Sequence, residues 1–454
     1  MSKSPTAGKI FLEKFFKPHN NHINKTQKTM KKIAILGAAE SGVGAAILAR
    51  KQGMDVLVSD MGTIKPNYKA LLDQHHIEWE EGHHTEERIL EADEVVKSPG
   101  IPDTAPLVAK LKAQGTPIIS EIELAGRYTD AKMVCITGSN GKTTTTSLIY
   151  HIFRKAGRDV GLAGNIGHSL ALQVAEQPHQ WYVIELSSFQ LDNMYQFRAD
   201  IAVLMNITPD HLDRYGFKFE NYARSKMRIL QNLRPEDTFI YWKDDPVTAR
   251  LLPEYRTPAQ VVAFSESQPF PIAGAQLALP GRHNLYNQMA AAHACLAAGI
   301  PEAVIAEGLK TFPGVEHRLE RVCETDGVLW INDSKATNVD ACRWALEAMT
   351  RPTVLILGGL DKGNDYNDIR GLVEEKCCAL VFLGKDNRKL QDFFRPLGLP
   401  IRETHSMPEC VQACRQLAHA GQTVLLSPCC ASFDLFKNME DRGEQFKALA
   451  RVSS

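Results

Sequence analysis

The stretch MVCITGSNGKTTTTSLI, residues 133–149, passes from a β-branched run through two glycines into a threonine-rich segment with helical character. A strand that enters a glycine turn and leaves as a helix aims free backbone N–H groups and the positive end of the helix dipole at one spot, which suits a phosphate. Gly138 and Gly141 allow close backbone approach, with Ser139 and Asn140 between them. Lys142 can reach the β/γ-phosphates, the Thr143 hydroxyl can ligate magnesium, and Thr144 follows on the first helical turn. The spacing departs from the general phosphate loop, because GxxxxGK would need glycine where Ile136 stands. The order strand, glycines, lysine, threonine, helix still favours nucleotide phosphate binding over a plain strand-to-helix turn.

On either side of this segment, short apolar runs alternate with helix-length polar ones. KKIAILG, DVLVSD, EVVKSPG and TPIISE precede it; WYVIELSS and IAVLMNIT follow; VLWINDS, TVLILGG, ALVFLG and TVLLSP fill the last third. Such alternation predicts parallel sheets covered by helices. The fold class is therefore α/β, with a Rossmann-like first domain over 30–128, a central phosphate-loop sheet over 129–316 and a Rossmann-like last domain over 317–454. Boundaries fall near Thr129 and at Gly314 to His317, where FPGVEHR supplies punctuation. Residues 1–29 carry Lys3, Lys9, Lys14, Lys17, Lys25 and Lys28 against the single acid Glu13. They are expected to be a disordered tail, a dispensable extension or an early start rather than a basic interaction arm.

Length and charge agree with this division. At roughly 150 residues per domain, 454 residues suggest about three domains. Lys+Arg 52 against Asp+Glu 53 leaves a net charge of -1, so no global field draws the chain to nucleic acid or an anionic membrane. No apolar run approaches the ~18 uncharged residues of a membrane span. Ten cysteines without a CxxC argue against a structural zinc or a redox dithiol and for free thiols in a reducing compartment, the cytoplasm.

A second turn opens the first domain, where KKIAIL leads into Gly37-Ala-Ala-Glu-Ser41-Gly42 and the next strand ends at Asp60. It half-matches the dinucleotide fingerprint, with alanine in place of the middle glycine, and reads either as a ligand site or as tight helix–strand packing. Glu185 ends the strand WYVIE and His211 follows IAVLMNIT, both at carboxyl ends of strands, where open α/β sheets hold ligands. A carboxylate suits magnesium, and a neutral imidazole is a less usual ligand. His75-His76 and His83-His84 lie amid acidic residues and are read as a solvated loop.

The ordered set of motifs resembles the Mur ligase family of ATP-dependent amide-bond ligases over residues 31 to 454. It comprises TGSNGKT at 137–143, GNIG at 164–167, ELSSFQLD at 185–192, NITPDHLDRY at 206–215, GRHNLYN at 281–287, EHRLE at 316–320, INDSKATN at 331–338, GGLDKG at 358–363 and the ending SPCCASFDLFKNMEDRGEQF. INDSKATN resembles the branch that adds D-glutamate to UDP-N-acetylmuramoyl-L-alanine in peptidoglycan precursor synthesis; a Mur ligase for another amino acid is the alternative within the family, and an NAD-dependent oxidoreductase the alternative outside it.

The resemblance implies that ATP phosphorylates the substrate carboxylate and that the amine of D-glutamate attacks the acyl phosphate. Lys142, Glu185, His211 and Lys226 would be the catalytic set, and two Mg2+ ions would be held by Thr143, Glu185, His211 and a carbamylated Lys226. From residues alone Lys226 in YARSKMRI reads as an ion-paired surface lysine. ATP would also meet Asn287, Arg318 and Asp333; Asn287 is equally readable as the polar face of its helix. The substrates would meet Gly37, Ser41, Gly42, Asp60, Asn165, Lys335, Thr337, Lys362, Ser432 and Phe433, although a phenylalanine is more often core. The family expectation is a monomer with small-molecule substrates only, whose last domain closes over the centre.

Overall fold

The computed structural model describes residues 30–279 and 281–452; the expected tail at 1–29 lies outside them. Seventeen strands form three sheets among these residues. The first holds β1 (Lys32–Leu36), β2 (Asp55–Asp60), β3 (Glu78–Glu81), β4 (Glu94–Lys97) and β5 (Ile118–Ile119) in the order β3-β2-β1-β4-β5. The second holds β6 (Lys132–Thr137), β7 (Val160–Gly164), β8 (Trp181–Glu185), β9 (Ile201–Leu204), β10 (Thr238–Trp242) and β11 (Gln260–Phe264) in the order β11-β10-β9-β6-β8-β7. Every pairing in these two sheets is parallel. Strands such as Met133–Thr137 are buried along their whole length, as a sheet covered on both faces requires.

The third sheet, β12 (Glu320–Thr325), β13 (Val328–Asn332), β14 (Thr353–Gly358), β15 (Cys377–Leu383), β16 (Ile401–Thr404) and β17 (Thr423–Cys429), runs β12-β13-β17-β14-β15-β16. It is mixed rather than parallel, because β12 turns straight back through Asp326 and Gly327 to pair antiparallel with β13. The strands the sequence patterns did not mark are β3, β7, β10, β11, β12 and β16, most of them at sheet edges. EWEE in β3 has no apolar alternation to betray it, since an edge strand with exposed faces needs none. The paired histidines are not a uniform solvated loop either. His75 follows directly on the helix Pro66–Gln74, and His84 shares a hydrogen bond with the buried Ser59 hydroxyl.

The first sheet is joined firmly to the second. The opening helix Glu40–Lys51 packs on the helix Leu170–Glu176 so closely that a Cβ on Gly44 would lie 2.0 Å from Ser169 Oγ. Ser169 in turn donates to the buried carboxylate of Glu121 at 2.7 Å, and the Ala171 amide donates to the same oxygen at 2.6 Å. Elsewhere Arg214, stacked 4.3 Å over the Phe189 ring, donates to the backbone carbonyls of Pro99, Gly100 and Ile101.

Candidate active site

The phosphate-type loop leaves β6 at Thr137 and enters the helix Lys142–Lys155. Gly138 has φ +143°, and a Cβ there would sit 2.9 Å from Met205 Cβ; Gly141 has φ +83°, and its Cβ would sit 2.3 Å from Asn287 Oδ1. Both positions therefore need glycine for conformation and for space. The loop is pinned to the segment after β9: the Ser139 amide donates to Asn206 O at 2.8 Å, the Ser139 hydroxyl to Thr208 O at 2.8 Å, and the Asn140 amide to Asn206 Oδ1 at 2.9 Å. Lys142 Nζ folds back onto Gly138 O and Ser139 O, at 2.9 Å each, and burial lowers its pKa. Thr143 and Thr144 are buried on the first turn, and the Thr144 hydroxyl has no partner.

The three sheets meet around a cleft of about 490 Å³ in front of this loop. Lys142, Asn165, His211, Lys226, Thr337, Lys362, Ser432 and Phe433 all line it, together with Pro99 and Gly100 from the first sheet's loops. Glu185, 1% exposed, accepts from Asn165 Nδ2 at 2.8 Å through one oxygen, while its other oxygen, Oε2, is buried without a hydrogen-bond donor. An orphaned carboxylate oxygen just behind a polar cleft, on a residue bonded to the cleft-lining Asn165, is the kind of acceptor a cation satisfies.

Lys226 is not on the surface. It is 2% exposed on the helix Phe219–Met227, donates to Thr137 Oγ1 at a long 3.3 Å, and lies 5.3 Å over the Tyr222 ring. Burial and the neighbouring Lys142 push its pKa well below the usual lysine value, with Asp210 and Glu185 opposing. Periodicity misled here because a nine-residue helix with Arg224, Lys226 and Arg228 nearby looks solvated, whereas its inner face carries the lysine.

His211 adopts φ +51° before the turn Leu212–Tyr215 and its side chain is half-exposed. Burial against nearby cations lowers its pKa, which favours the neutral imidazole. Lys335 is pushed down to about 8 by burial, with Arg318 and Lys142 adding repulsion against the attraction of Glu185. Arg318 Nε is buried without a partner. Lys142, Lys226 and Lys335 thus gather around Glu185, with Arg318 near Lys142 and Lys335, an arrangement of basic groups that is costly unless an anion joins it. Phe433 is 68% exposed in the cleft rather than core, and Ser432 beside it is buried.

Behind the loop lies a second, smaller cavity of about 170 Å³. Asn140, Gly141, Asn287, Arg318 and Asp333 line it, with Trp242, His283, Tyr286 and Trp344. Asn287 is 4% exposed, buried together with Asn284 and Gln288, so the polar-face reading of its helix Arg282–Ala297 fails. Burial raises Asp333 to about 6 despite Arg318, the Ser427 hydroxyl at 2.9 Å and the Leu319 amide at 3.2 Å. The aromatic lining was not foreseen, and neither were Asp210 and Asp340. Asp210 stands beside His211 in NITPDHLDRY and could have been marked by that adjacency; burial raises its pKa, but His211, Lys362 and Lys142 outweigh this and lower it. Nothing in the local pattern singles out Asp340.

Gly37, Ser41, Gly42 and Asp60 line neither cavity. Asp60 accepts from the Ala38 amide at 2.6 Å through one oxygen and from the Gly62 amide at 2.7 Å through the other, so it shapes the turn. A Cβ on Gly42 would lie 1.8 Å from Gly37 O, and one on Gly37 2.5 Å from Ser98 Oγ. Close packing accounts for these glycines without a nicotinamide cofactor.

Family models match along the chain: MurD N-terminal domain over residues 32–106, Mur ligase middle domain over 136–278, and Mur ligase, glutamate ligase domain over 317–430. The chain is 61% identical to a UDP-N-acetylmuramoylalanine--D-glutamate ligase of Bacteroides fragilis over 93% of its own length and 100% of the relative's. It is 56% identical to an enzyme of the same name from Porphyromonas gingivalis, over 91% of this chain and 97% of that one. A solved UDP-N-acetylmuramate-alanine ligase of Thermotoga maritima shares the fold at a TM-score of 0.60 and 18% identity, covering 91% of this chain and 98% of the other.

Proposed function

Because the chain belongs to the Mur ligase family, among the relatives named UDP-N-acetylmuramoylalanine--D-glutamate ligase, we propose that it joins D-glutamate to UDP-N-acetylmuramoyl-L-alanine with ATP, in peptidoglycan precursor synthesis. The observation that carries the reading is the gathering of Lys142, Lys226 and Lys335 around Glu185, whose Oε2 has no donor, with Arg318 in the adjoining cavity.

In this reading the γ-phosphoryl group passes from ATP to the terminal carboxylate of the L-alanyl arm, which turns a poor electrophile into an acyl phosphate and releases ADP. The amine of D-glutamate then forms the new C–N bond, and the tetrahedral intermediate collapses by breaking the C–O bond to phosphate. Lys142, released from its own loop carbonyls, meets the transferring phosphoryl group, with backbone N–H groups of residues 138–144 around it. Asn287, Arg318 and Asp333 meet the rest of the nucleotide in the aromatic cavity. Asn165 orients the substrate arm and Glu185 together. Lys335, Thr337, Lys362, Ser432 and Phe433 receive D-glutamate, whose two carboxylates call for cations and hydroxyls. The loops bearing Gly37, Ser41, Gly42 and Asp60 hold the UDP end.

Magnesium supplies neutralisation of phosphate charge, and two ions are accommodated if Thr143, Glu185 and the neutral His211 are joined by a carbamate on Lys226. The residues fit: Glu185 Oε2 lacks a donor, and Lys226 as an ammonium would repel a cation but, with its depressed pKa, is nucleophilic enough toward carbon dioxide. The units 30–128, 129–316 and 317–454 divide the labour into UDP-substrate, ATP and amino-acid binding, acting in a monomer in the cytoplasm. No helix among the described residues is long and apolar enough to cross a membrane. The test is phosphate release from ATP with Mg2+ and UDP-N-acetylmuramoyl-L-alanine. Release with D-glutamate but not L-glutamate, L-alanine or L-lysine is expected; release with another amino acid would transfer the reading to a different Mur ligase.

A further inference from the structure

One of the contacts between the last domain and the centre is made by a side chain of the phosphate loop itself. Asn140 Nδ2 donates to Asp340 Oδ2 at 2.7 Å, and Asn338 Nδ2 donates to Asn140 Oδ1 at 3.5 Å, so both halves of one amide are matched by residues at the start of the helix Val339–Glu347. The placement is built. Asn338 caps that helix by accepting from the Ala341 amide at 2.8 Å, which leaves its Nδ2 free to face Asn140 and, at 3.4 Å, Asp210 Oδ2. Asp340 is steadied from its own side by Arg343, whose Nη2 donates to Oδ1 at 2.7 Å. The Asn140 backbone is in turn locked on both sides by Asn206, whose Oδ1 accepts from its amide at 2.9 Å and whose Nδ2 donates to its carbonyl at 3.1 Å.

We infer that the Asn140–Asp340 pair, completed by Asn338, is the latch that seats the last domain on the phosphate loop, with Asp340 as a positioning residue for the amino-acid half of the reaction. This rests on the reading that the loop binds ATP. The loop's other polar side-chain contacts run within the central domain, to Thr208, Tyr222 and its own carbonyls, while Asp340 also accepts from the Thr208 hydroxyl at a longer 3.4 Å. Asn140 is the residue through which the loop's conformation is transmitted to Lys335 and Thr337, which lie just before the capped helix. Asp340 stands in the wall of the nucleotide cavity with Arg343, so its removal takes a negative charge away from the nucleotide and has no reason to weaken ATP binding.

The experiment uses the full chain with Asp340→Ala, Asp340→Asn, Asn140→Asp, and Asn140→Asp combined with Asp340→Asn. Initial rates give KM for D-glutamate and for ATP separately, and small-angle scattering gives the radius of gyration with and without a non-hydrolysable ATP analogue and Mg2+. Loss of a hydrogen bond to a charged group predicts a rise of about 10-fold or more in the D-glutamate KM of Asp340→Ala, an ATP KM no higher than in the unsubstituted protein, and a larger radius of gyration. Asn140→Asp alone opposes two carboxylates and opens the molecule further; the exchanged pair restores donor to acceptor and brings the radius back, whatever it does to turnover. An unchanged D-glutamate KM and radius in Asp340→Ala, or no recovery in the exchanged pair, overturns the latch. If the unsubstituted protein releases no phosphate with D-glutamate, the substrate reading fails, and the scattering arms still decide the latch alone.

Discussion

A lysine held at the centre of a cationic cluster is useful only when an anion arrives, and ligand-free protein bears the cost. Lys335, at about pKa 8 through burial, illustrates this. Lys335→Met is expected to abolish D-glutamate-dependent phosphate release while raising the melting temperature of the ligand-free protein, by about 2–4 °C for each kcal/mol relieved; calorimetry at pH 7 measures it. Lys226→Ala should lose activity and regain part of it with added short carboxylates, and unchanged activity without them would remove the carbamate. Glu121 carries the opposite sign of charge and a clean pH signature. Burial raises its pKa from 4.5 to about 7, so the folded protein keeps a proton that the unfolded chain releases. Its stabilising contribution is full below about 4.5 and is lost as pH rises through about 7. Glu121→Gln is therefore expected to stabilise the protein at pH 8, by up to about 3 kcal/mol, with the gain vanishing toward pH 4.5 in denaturant titrations. At this scale the sequence spoke through motifs, which marked Lys142, Glu185 and His211. It was silent about Asp340, whose meaning arises only when a helix start from one sheet meets a loop of another.

Single elements explain which strands were readable. β6, β8, β14 and β17 are buried along most of their length, and their continuous apolar runs declare themselves. β12 and β16 alternate or expose much of their surface at the edges of the last sheet, so hydrophobic patterning had little to mark and the antiparallel reversal at Asp326-Gly327 passed unseen. Helix contacts are decided by glycines that composition cannot interpret. Gly44→Ala would put a methyl 2.0 Å from Ser169 Oγ at the joint of the first two sheets. Overpacking of that kind costs about 1–3 kcal/mol, and thermal unfolding of the variant should begin earlier, with exchange of the amides of residues 40–51 and 170–176 accelerating before those of β6 and β8.

For the molecule as a whole, the site is a meeting of segments from three domains: Pro99 and Gly100 from the first, Lys142, Asn165, Asp210 and His211 from the second, and Thr337, Lys362 and Ser432 from the third. Its presence was legible as an ordered set of motifs, but its geometry depends on how three independently built sheets are oriented, which no local pattern encodes. The first two sheets are fastened by the Gly44 contact, the Glu121–Ser169 bond and the three carbonyls held by Arg214, whereas the third meets the centre through the Asn140 amide, long 3.4 Å contacts of Asp340, Asn338 and Lys362 with Thr208 and Asp210, and the Trp344 ring beside His283 and Tyr286. Addition of an ATP analogue, Mg2+ and the UDP substrate should accordingly compact the molecule in scattering, with the change confined to distances that cross to the third sheet. The Arg214 clasp thus has a pharmacological corollary. With two bodies welded, the enzyme has a single joint, and a rigid compound wedged beside Asp213 and Asp368 in the crevice between centre and last sheet would stall turnover by holding that joint apart, even with ATP at saturation.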